Sequence, residues 1–187
     1  ARAQGLGTAE DKKAAMAAWS KSCAKGYERA CAVTGLNLVL GIDGIKKDAE
    51  VGVELLQGAC RASVAEACKD LGGLHLGGMV PDADRTEGVQ RLTEACDLGY
   101  GEGCNELGVA YAQGLGVERA DAAMAVRLFD RACRLGADNG CSNFGLALSQ
   151  GVGVERDLKR AHKLFHAACH RGHQASCEHH QKLADEH

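Results

Sequence analysis

The sequence predicts an all-α protein, an α/α superhelix (solenoid) of helix-turn-helix repeats about 36–37 residues long. Two observations carry the repeat. All ten cysteines fall in pairs eight residues apart: Cys23 with Cys31, Cys60 with Cys68, Cys96 with Cys104, Cys133 with Cys141, and Cys169 with Cys177. The pairs follow one another at 37, 36, 37 and 36 residues, a repeat period rather than a composition effect. A third observation gives the class of packing. Twenty-five glycines, one proline, one tryptophan, three tyrosines and three phenylalanines describe helices packed closely through small side chains, with little bulk for a deep core.

The helices can be taken in order. From Asp11 to Ala24 the residues Ala15, Trp19, Ser22 and Cys23 recur at helical spacing, giving an amphipathic helix of a first type, B. Gly26 ends it as a left-handed C-cap glycine would, and a helix of the second type, A, follows from about Tyr27 to Leu40. Gly41-Ile42-Asp43-Gly44 turns the chain. B helices are then expected near Asp48–Cys60, Asp84–Asp97 and Asp121–Arg134, and A helices near Val64–Leu76, Gly101–Gln113 and Asp138–Gln150. Asp48, Asp84, Asp121 and Asp157 each open a B helix, where a carboxylate caps free N–H groups and opposes the positive end of the dipole. The chain divides into a half repeat 1–26, repeats 27–63, 64–99, 100–136 and 137–172, and a C-terminal capping helix 173–187.

Aligning the repeats on their cysteines exposes the packing positions. Four residues before the first cysteine stand Trp19, Leu56, Leu92, Phe129 and Phe165, a large apolar plug in every B helix. Eight before it stand Ala15, Gly52, Gly88, Ala125 and Ala161. Large and small residues set one turn apart allow interdigitation with a neighbouring helix. In the A helices, Gly35, Gly72, Gly108 and Gly145 share one phase. A glycine inside a helix costs about 1 kcal/mol relative to alanine, so their recurrence implies close contact between helices.

The cysteines, even in number and regular in phase, suggest five local disulfides and an oxidising compartment. Zinc is the rival reading, although structural zinc sites use shorter steps and bring four ligands to one point. Buried free thiols are a third reading. With 22 basic and 25 acidic residues, net charge −3 and no basic stripe, nucleic acid is excluded as a partner. No apolar run approaches the roughly 18 residues needed to cross a bilayer, so no membrane insertion is expected. Ala3-Gln4-Gly5-Leu6-Gly7 matches Ala112-Gln113-Gly114-Leu115-Gly116 residue for residue. From this the expectation is that the chain starts inside a repeat, with a first helix and a signal peptide upstream or a cut at that point.

Read as a motif, the repeat is Cys104-x-x-Leu107-Gly108-x-x-Tyr111-x-x-Gly114-x-Gly116-Val117, followed by Ala125, Phe129, Ala132-Cys133 and Gly136. This resembles the Sel-1-like repeat, a relative of the tetratricopeptide repeat, over nearly the whole chain. The cysteine step is similar to that of its disulfide-rich branch, the Helicobacter cysteine-rich proteins, and also to a mitochondrial cytochrome c oxidase assembly factor. The resemblance implies an α/α superhelix, export to the periplasm or beyond, and use as a protein-binding scaffold. It also implies a rival activity, since some members of that branch are described as penicillin-binding proteins or weak β-lactamases. Three local departures stand out: Thr34 in place of leucine, His75 in place of tyrosine, and Arg61-Ala62-Ser63 in the turn after Cys60.

In such superhelices the A helices line the concave face. Lys69, Asp70, Asn105, Glu106, Ser142 and Asn143, just after the cysteines, are therefore the expected binding residues, with asparagines able to hold an extended peptide through its backbone amides. No catalytic residue is assigned. There is no S-D-N, K-T-G or H-x-H-x-D arrangement, the one S-x-x-K step, Ser22-Cys23-Ala24-Lys25, contains a cysteine of the repeat series, and the serines are scattered singly. Seven of the eight histidines follow residue 161, and His162, His166 and His170 fall at i, i+4, i+8, where a divalent metal or haem could bind. The competing reading is a polar terminal cap, to which His180 and Gln181 also belong. His75 is expected to be a satisfied core histidine.

The expected molecule is a right-handed solenoid, monomeric and without a cofactor, locked by five disulfides in a periplasmic or secreted setting, or in the mitochondrial intermembrane space. It holds a protein or peptide partner in its concave groove. The alternatives are a β-lactam or peptidoglycan-fragment protein and a metal- or haem-binding protein.

Overall fold

The computed structural model describes residues 9–42 and 45–185. The identity between residues 3–7 and 112–116, part of the turn at 41–44 and the last residues of the cap lie outside them. Among the described residues ten helices run in order: α1 (Ala9–Cys23), α2 (Glu28–Leu40), α3 (Ala49–Arg61), α4 (Ala65–Leu76), α5 (Arg85–Asp97), α6 (Gly101–Gln113), α7 (Ala122–Arg134), α8 (Asp138–Gln150), α9 (Leu158–His170) and α10 (Gln174–Asp185). Among the described residues there is no strand. Each helix packs on the next in sequence. The A helices also touch their counterparts one repeat away, α2 on α4, α4 on α6 and α6 on α8. An array bends toward the row whose members stand closest, so the A helices form its inner side.

The four aspartates do what their phase requires. The carboxylates of Asp48, Asp84, Asp121 and Asp157 accept from the backbone N–H of Val51, Thr86, Met124 and Arg160. Each B helix therefore starts at a fixed residue, one turn after the chain leaves an A helix.

The glycine phase marks where two backbones meet. A Cβ on Gly35 would lie 2.7 Å from the carbonyl oxygen of Gly52, and one on Gly52 would lie 2.7 Å from that of Gly35. The same approach recurs at Gly72 and Gly88, where an added Cβ would stand 2.9–3.0 Å from the opposite carbonyl oxygen. Farther along, alanine replaces the B-helix glycine, and the plug fills the A-helix notch directly: Phe129 Cε1 would be 2.6 Å from a Cβ on Gly108, and Phe165 Cε1 2.7 Å from one on Gly145. Leu56, Leu92, Phe129 and Phe165 are all buried. Trp19 departs from the expectation. It is 43% exposed, whereas the plugs of the other B helices are buried.

All five cysteine pairs are closed as disulfides: Cys23 to Cys31, Cys60 to Cys68, Cys96 to Cys104, Cys133 to Cys141, and Cys169 to Cys177. Their Cα–Cα separations are 4.4–4.7 Å. The zinc and free-thiol readings fall with that. Each bridge ties the end of a B helix to the first turn of the following A helix, across a turn of four residues between α1 and α2 and of three residues in the other four pairs. The A-helix partners Cys31, Cys68, Cys104 and Cys141 are buried, whereas Cys177, on the last helix, is half-buried. Gly26, Gly99, Gly136 and Gly172 take left-handed φ values of 83–92° in the turns, and Ser63 takes φ 64° at the equivalent position.

Two substitutions test this packing by urea denaturation. Gly52→Ala presses on the Gly35 carbonyl, the Val39 methyl and the Val39 backbone, and is expected to cost about 2–3 kcal/mol. Ser63→Gly relieves a left-handed serine and is expected to raise stability by about 0.5–1 kcal/mol.

Candidate functional site

The residues that follow each second cysteine lie in the first half of an A helix, on its inner side, and they link diagonally across repeats. Lys69 of α4 binds Asp70 at 2.5 Å and reaches Glu106 of α6 at 3.8 Å. One repeat on, the side-chain amide of Asn143 in α8 donates to Asn105 Oδ1 of α6 at 2.8 Å. In both links the residue just after the cysteine meets the second residue after the cysteine of the next repeat. Ser142 is buried on α8. The structure thus brings Lys69, Asp70 and Glu106 into one group and Asn105 and Asn143 into another.

Their exposures differ in a way that bears on binding. Asn105 is 7% exposed, so it orients Asn143 more than it meets solvent. Asn143 is half-buried and lines a cavity of about 180 Å³ with Phe129, Leu146 and Gln150. Lys69, Asp70 and Glu106 line a second cavity of about 200 Å³, whose other walls include Leu36, Leu40, Leu74 and Met79. Met79 and Leu40 are exposed, at 48% and 39%. The inner face therefore offers an acidic and amide-bearing polar row beside apolar side chains.

Electrostatics follow from the half-burial. Burial pushes the Glu106 carboxyl above its ordinary value, with Lys69 pulling against it and Asp70 adding to it. Burial works to lower Lys69, but the hydrogen bond and charge of Asp70 and the charge of Glu106 outweigh it, so the ammonium is held above its ordinary value. Burial also raises Tyr100.

His75 is buried, as expected, but only one of its nitrogens is satisfied. Nδ1 accepts from the backbone N–H of Asp84 at 3.2 Å, while Nε2 points toward Glu87 at 3.8 Å. In the other repeats the matching aspartate N–H goes to a backbone carbonyl instead, that of Leu38, Tyr111 or Leu148.

Sequence reasoning missed one hydrogen-bonded chain. Ser176 Oγ lies 2.8 Å from His173 Nδ1, and His173 Nε2 lies 3.0 Å from Asn139 Oδ1. The order resembles a nucleophile, a base and an orienting amide. Its location gives it another role. His173 stands just before α10 and its Nδ1 also accepts the Ser176 N–H, which is an N-terminal cap. Ser176 is 0% exposed, in the slot that Gly103 and Gly140 fill elsewhere, so no substrate reaches its hydroxyl.

The C-terminal histidines gather more tightly than their spacing alone foretells. His162, His166 and His170 share one face of α9, and His180 of α10 comes within 4.3 Å of His162 and 5.2 Å of His166, centroid to centroid. His166 and His170 stand 4.4 Å apart. Burial, then the charges of His162, His166 and His170, hold His180 below its ordinary value. Among the described residues the group of three ligand atoms already converged within 4.8 Å is Cys60, Cys68 and Glu94. Cys60 and Cys68 are bonded to each other, so that group offers no thiolate.

The helix pairs, their shared register and the inner row of A helices define an all-α repeat solenoid. The chain belongs to the Sel1 repeat family, whose model matches residues 29–64, 65–100, 101–136 and 141–173. Three solved structures are similar in fold. A protective antigen of uropathogenic Escherichia coli with an SLR fold superposes with a TM-score of 0.74 at 24% identity, over 87% of this chain and 34% of that one. A Sel1 repeat protein from Oxalobacter formigenes gives 0.73 at 22% identity, over 89% and 69%. Helicobacter pylori cysteine rich protein B gives 0.57 at 29% identity, over 72% and 96%. The chain spans about a third of the length of the E. coli antigen. No curated protein matches it.

Glu106→Gln tests the half-buried carboxyl. A carboxyl raised above its unfolded value favours the fold below that value and loses the contribution as pH rises through the folded one, so Glu106 opposes folding at neutral pH. Glu106→Gln is therefore expected to gain stability relative to the parent at pH 7, by a few tenths of a kcal/mol, and to lose that advantage near pH 4 in parallel urea titrations.

Proposed function

We propose that the protein is a non-catalytic scaffold that holds an extended peptide or protein segment along the inner face of α4, α6 and α8. Sel1 repeats commonly serve protein interaction, and solenoids of this kind present long continuous surfaces to their partners. The observation that carries the reading is the diagonal polar row, in which Lys69 and Glu106 border a cavity walled by Leu36, Leu40 and Met79, and Asn143, held by Asn105, borders a second one walled by Phe129 and Leu146. An extended strand presents backbone amides and carbonyls at regular intervals, which amide side chains read without regard to sequence. The apolar cavity takes one anchoring side chain. Two carboxylates against one ammonium favour a segment that is neutral or basic there. Five disulfides and the likeness to a Helicobacter cysteine-rich protein point to an oxidising compartment outside the cytoplasm, and a periplasmic or secreted setting fits both. Among the described residues no helix is long and apolar enough to cross a membrane.

Panning a random peptide library against the oxidised protein tests the site. Enriched peptides should share an apolar anchor, and their affinity should fall at least about tenfold in Asn143→Ala and in the exposed Met79→Ser, with an unchanged helical circular dichroism spectrum showing that each variant is folded. Absence of any enriched motif, or undiminished affinity in both variants, would remove this face from consideration.

A further inference from the structure

At the position of His162 the preceding repeats carry Met16, Val53, Val89 and Val126, and at that of His180 they carry Thr34, Leu71, Leu107 and Phe144, apolar in all but the first copy. These are packing positions: Val126 and Phe144 belong to one apolar cluster, and Val53 packs on the cluster that contains Leu71. The last helix pair changes both positions to histidine, and the two rings meet at 4.3 Å. A polar terminal face accounts for His166 and His170, which are exposed. It does not account for His180, whose Nε2 is buried with no hydrogen-bond partner. A cap facing solvent does not need an orphaned nitrogen, whereas a ligand position does.

We propose that His162, His166 and His180 form a binding site for one divalent transition-metal ion, zinc, nickel or copper, with His170 beside His166 as a fourth nitrogen. Histidines at i and i+4 on one helix face are a recurring chelating pair. A third ligand from a second helix converts the pair into a site that clamps α9 to α10. Two imidazoles on one tetrahedral ion, with metal–nitrogen bonds of about 2.0–2.1 Å, hold their ring centroids roughly 5 Å apart. The separations of 4.3 Å for His162–His180, 5.2 Å for His166–His180 and 4.4 Å for His166–His170 bracket that value, while His162–His166, at 6.4 Å, closes by rotation of the exposed His166 ring. The donor set is imidazole nitrogen alone, which suits zinc, copper and nickel and not the oxygen-seeking calcium or magnesium. Lys159 and Lys163 line a cavity of about 460 Å³ with His162, so that cavity would take an anion or water rather than a further cation.

The repeats themselves supply variants that should fold. His180→Leu and His162→Val restore the residues that internal repeats use, and His166→Ala alters an exposed side chain. The full oxidised chain is titrated calorimetrically with Zn²⁺ alone, then with Ni²⁺, Cu²⁺ and Ca²⁺, and its melting temperature is followed with and without Zn²⁺. The expected result is one equivalent of Zn²⁺ at micromolar affinity or better, a melting temperature raised by several degrees, and no calcium response. Affinity should fall at least about tenfold in each of the three variants, while the metal-free melting temperature of His180→Leu holds or rises. Absence of saturable transition-metal binding overturns the site. So does undiminished binding in His180→Leu, which would leave only an adventitious pair on α9. Peptide binding to the inner face is unaffected by these substitutions, so the two readings fail separately.

Discussion

The close approach of each A helix to the B helix that follows it is the constraint from which the rest of the array descends. At Gly35 and Gly52, and again at Gly72 and Gly88, two backbones come so near that a single methyl group on either would overlap the other's carbonyl. Contact at that distance gains dispersion from backbone atoms and lets the large plug one turn away enter the neighbouring helix. It explains how a chain with so few aromatic residues buries a core at all. The α6–α7 and α8–α9 pairs reach the same end differently, with alanine opposite and phenylalanine seated in the glycine notch. The sum of small and large volume across the joint is what the fold preserves.

That packing acts between an A helix and the next B helix. The opposite joint, from a B helix to its own following A helix, is closed by the disulfide and by a left-handed residue in the turn. For a loop of about nine residues a bridge removes unfolded-chain entropy equivalent to roughly 2.5 kcal/mol, by the chain-entropy model. Ion pairs and hydrogen bonds one repeat apart, such as Arg29 with Glu66, Arg131 with Asp97 and Arg171 with Asp138, add orientation more than stability, since they are largely exposed. Every joint is thus fixed covalently, by backbone contact or by a buried plug, which leaves the inner polar row little need to hold the structure together.

Most of the fold is legible in the sequence because its determinants are local and repeated. The capping aspartates, the turn glycines and the cysteine step each act within a few residues, and the bounds expected for α6 and α8 coincide with those observed. What depends on contacts between helices is harder to read. Trp19 has the right register for a plug yet is exposed, since burial depends on contacts that register alone does not supply. Spacing alone makes Asn105 and Asn143 parallel donors to a peptide, whereas their step along the chain also sets them opposite one another, so one holds the other. On its own helix His180 groups with the polar cap. Its meeting with His162 is a contact between α9 and α10, whose signal is present in the register as two packing positions altered together.

The repeats serve as internal controls for one another. A position that keeps its size and polarity through every copy answers to packing, as the plug, the glycine notch and the capping aspartate do. A position that changes freely from copy to copy answers to something else. The two residues after each second cysteine read Ala32-Val33, Lys69-Asp70, Asn105-Glu106, Ser142-Asn143 and Glu178-His179. No packing rule orders that series, although it occupies one continuous stripe on a rigid surface. The histidines present the reverse case: at His162 and His180 the packing rule itself is broken, at two touching positions in one helix pair. A change that forfeits apolar contact and strands a buried nitrogen costs stability on its own terms. Its retention within an otherwise regular array is understood most simply if the paired imidazoles recover that cost by gripping a ligand of their own.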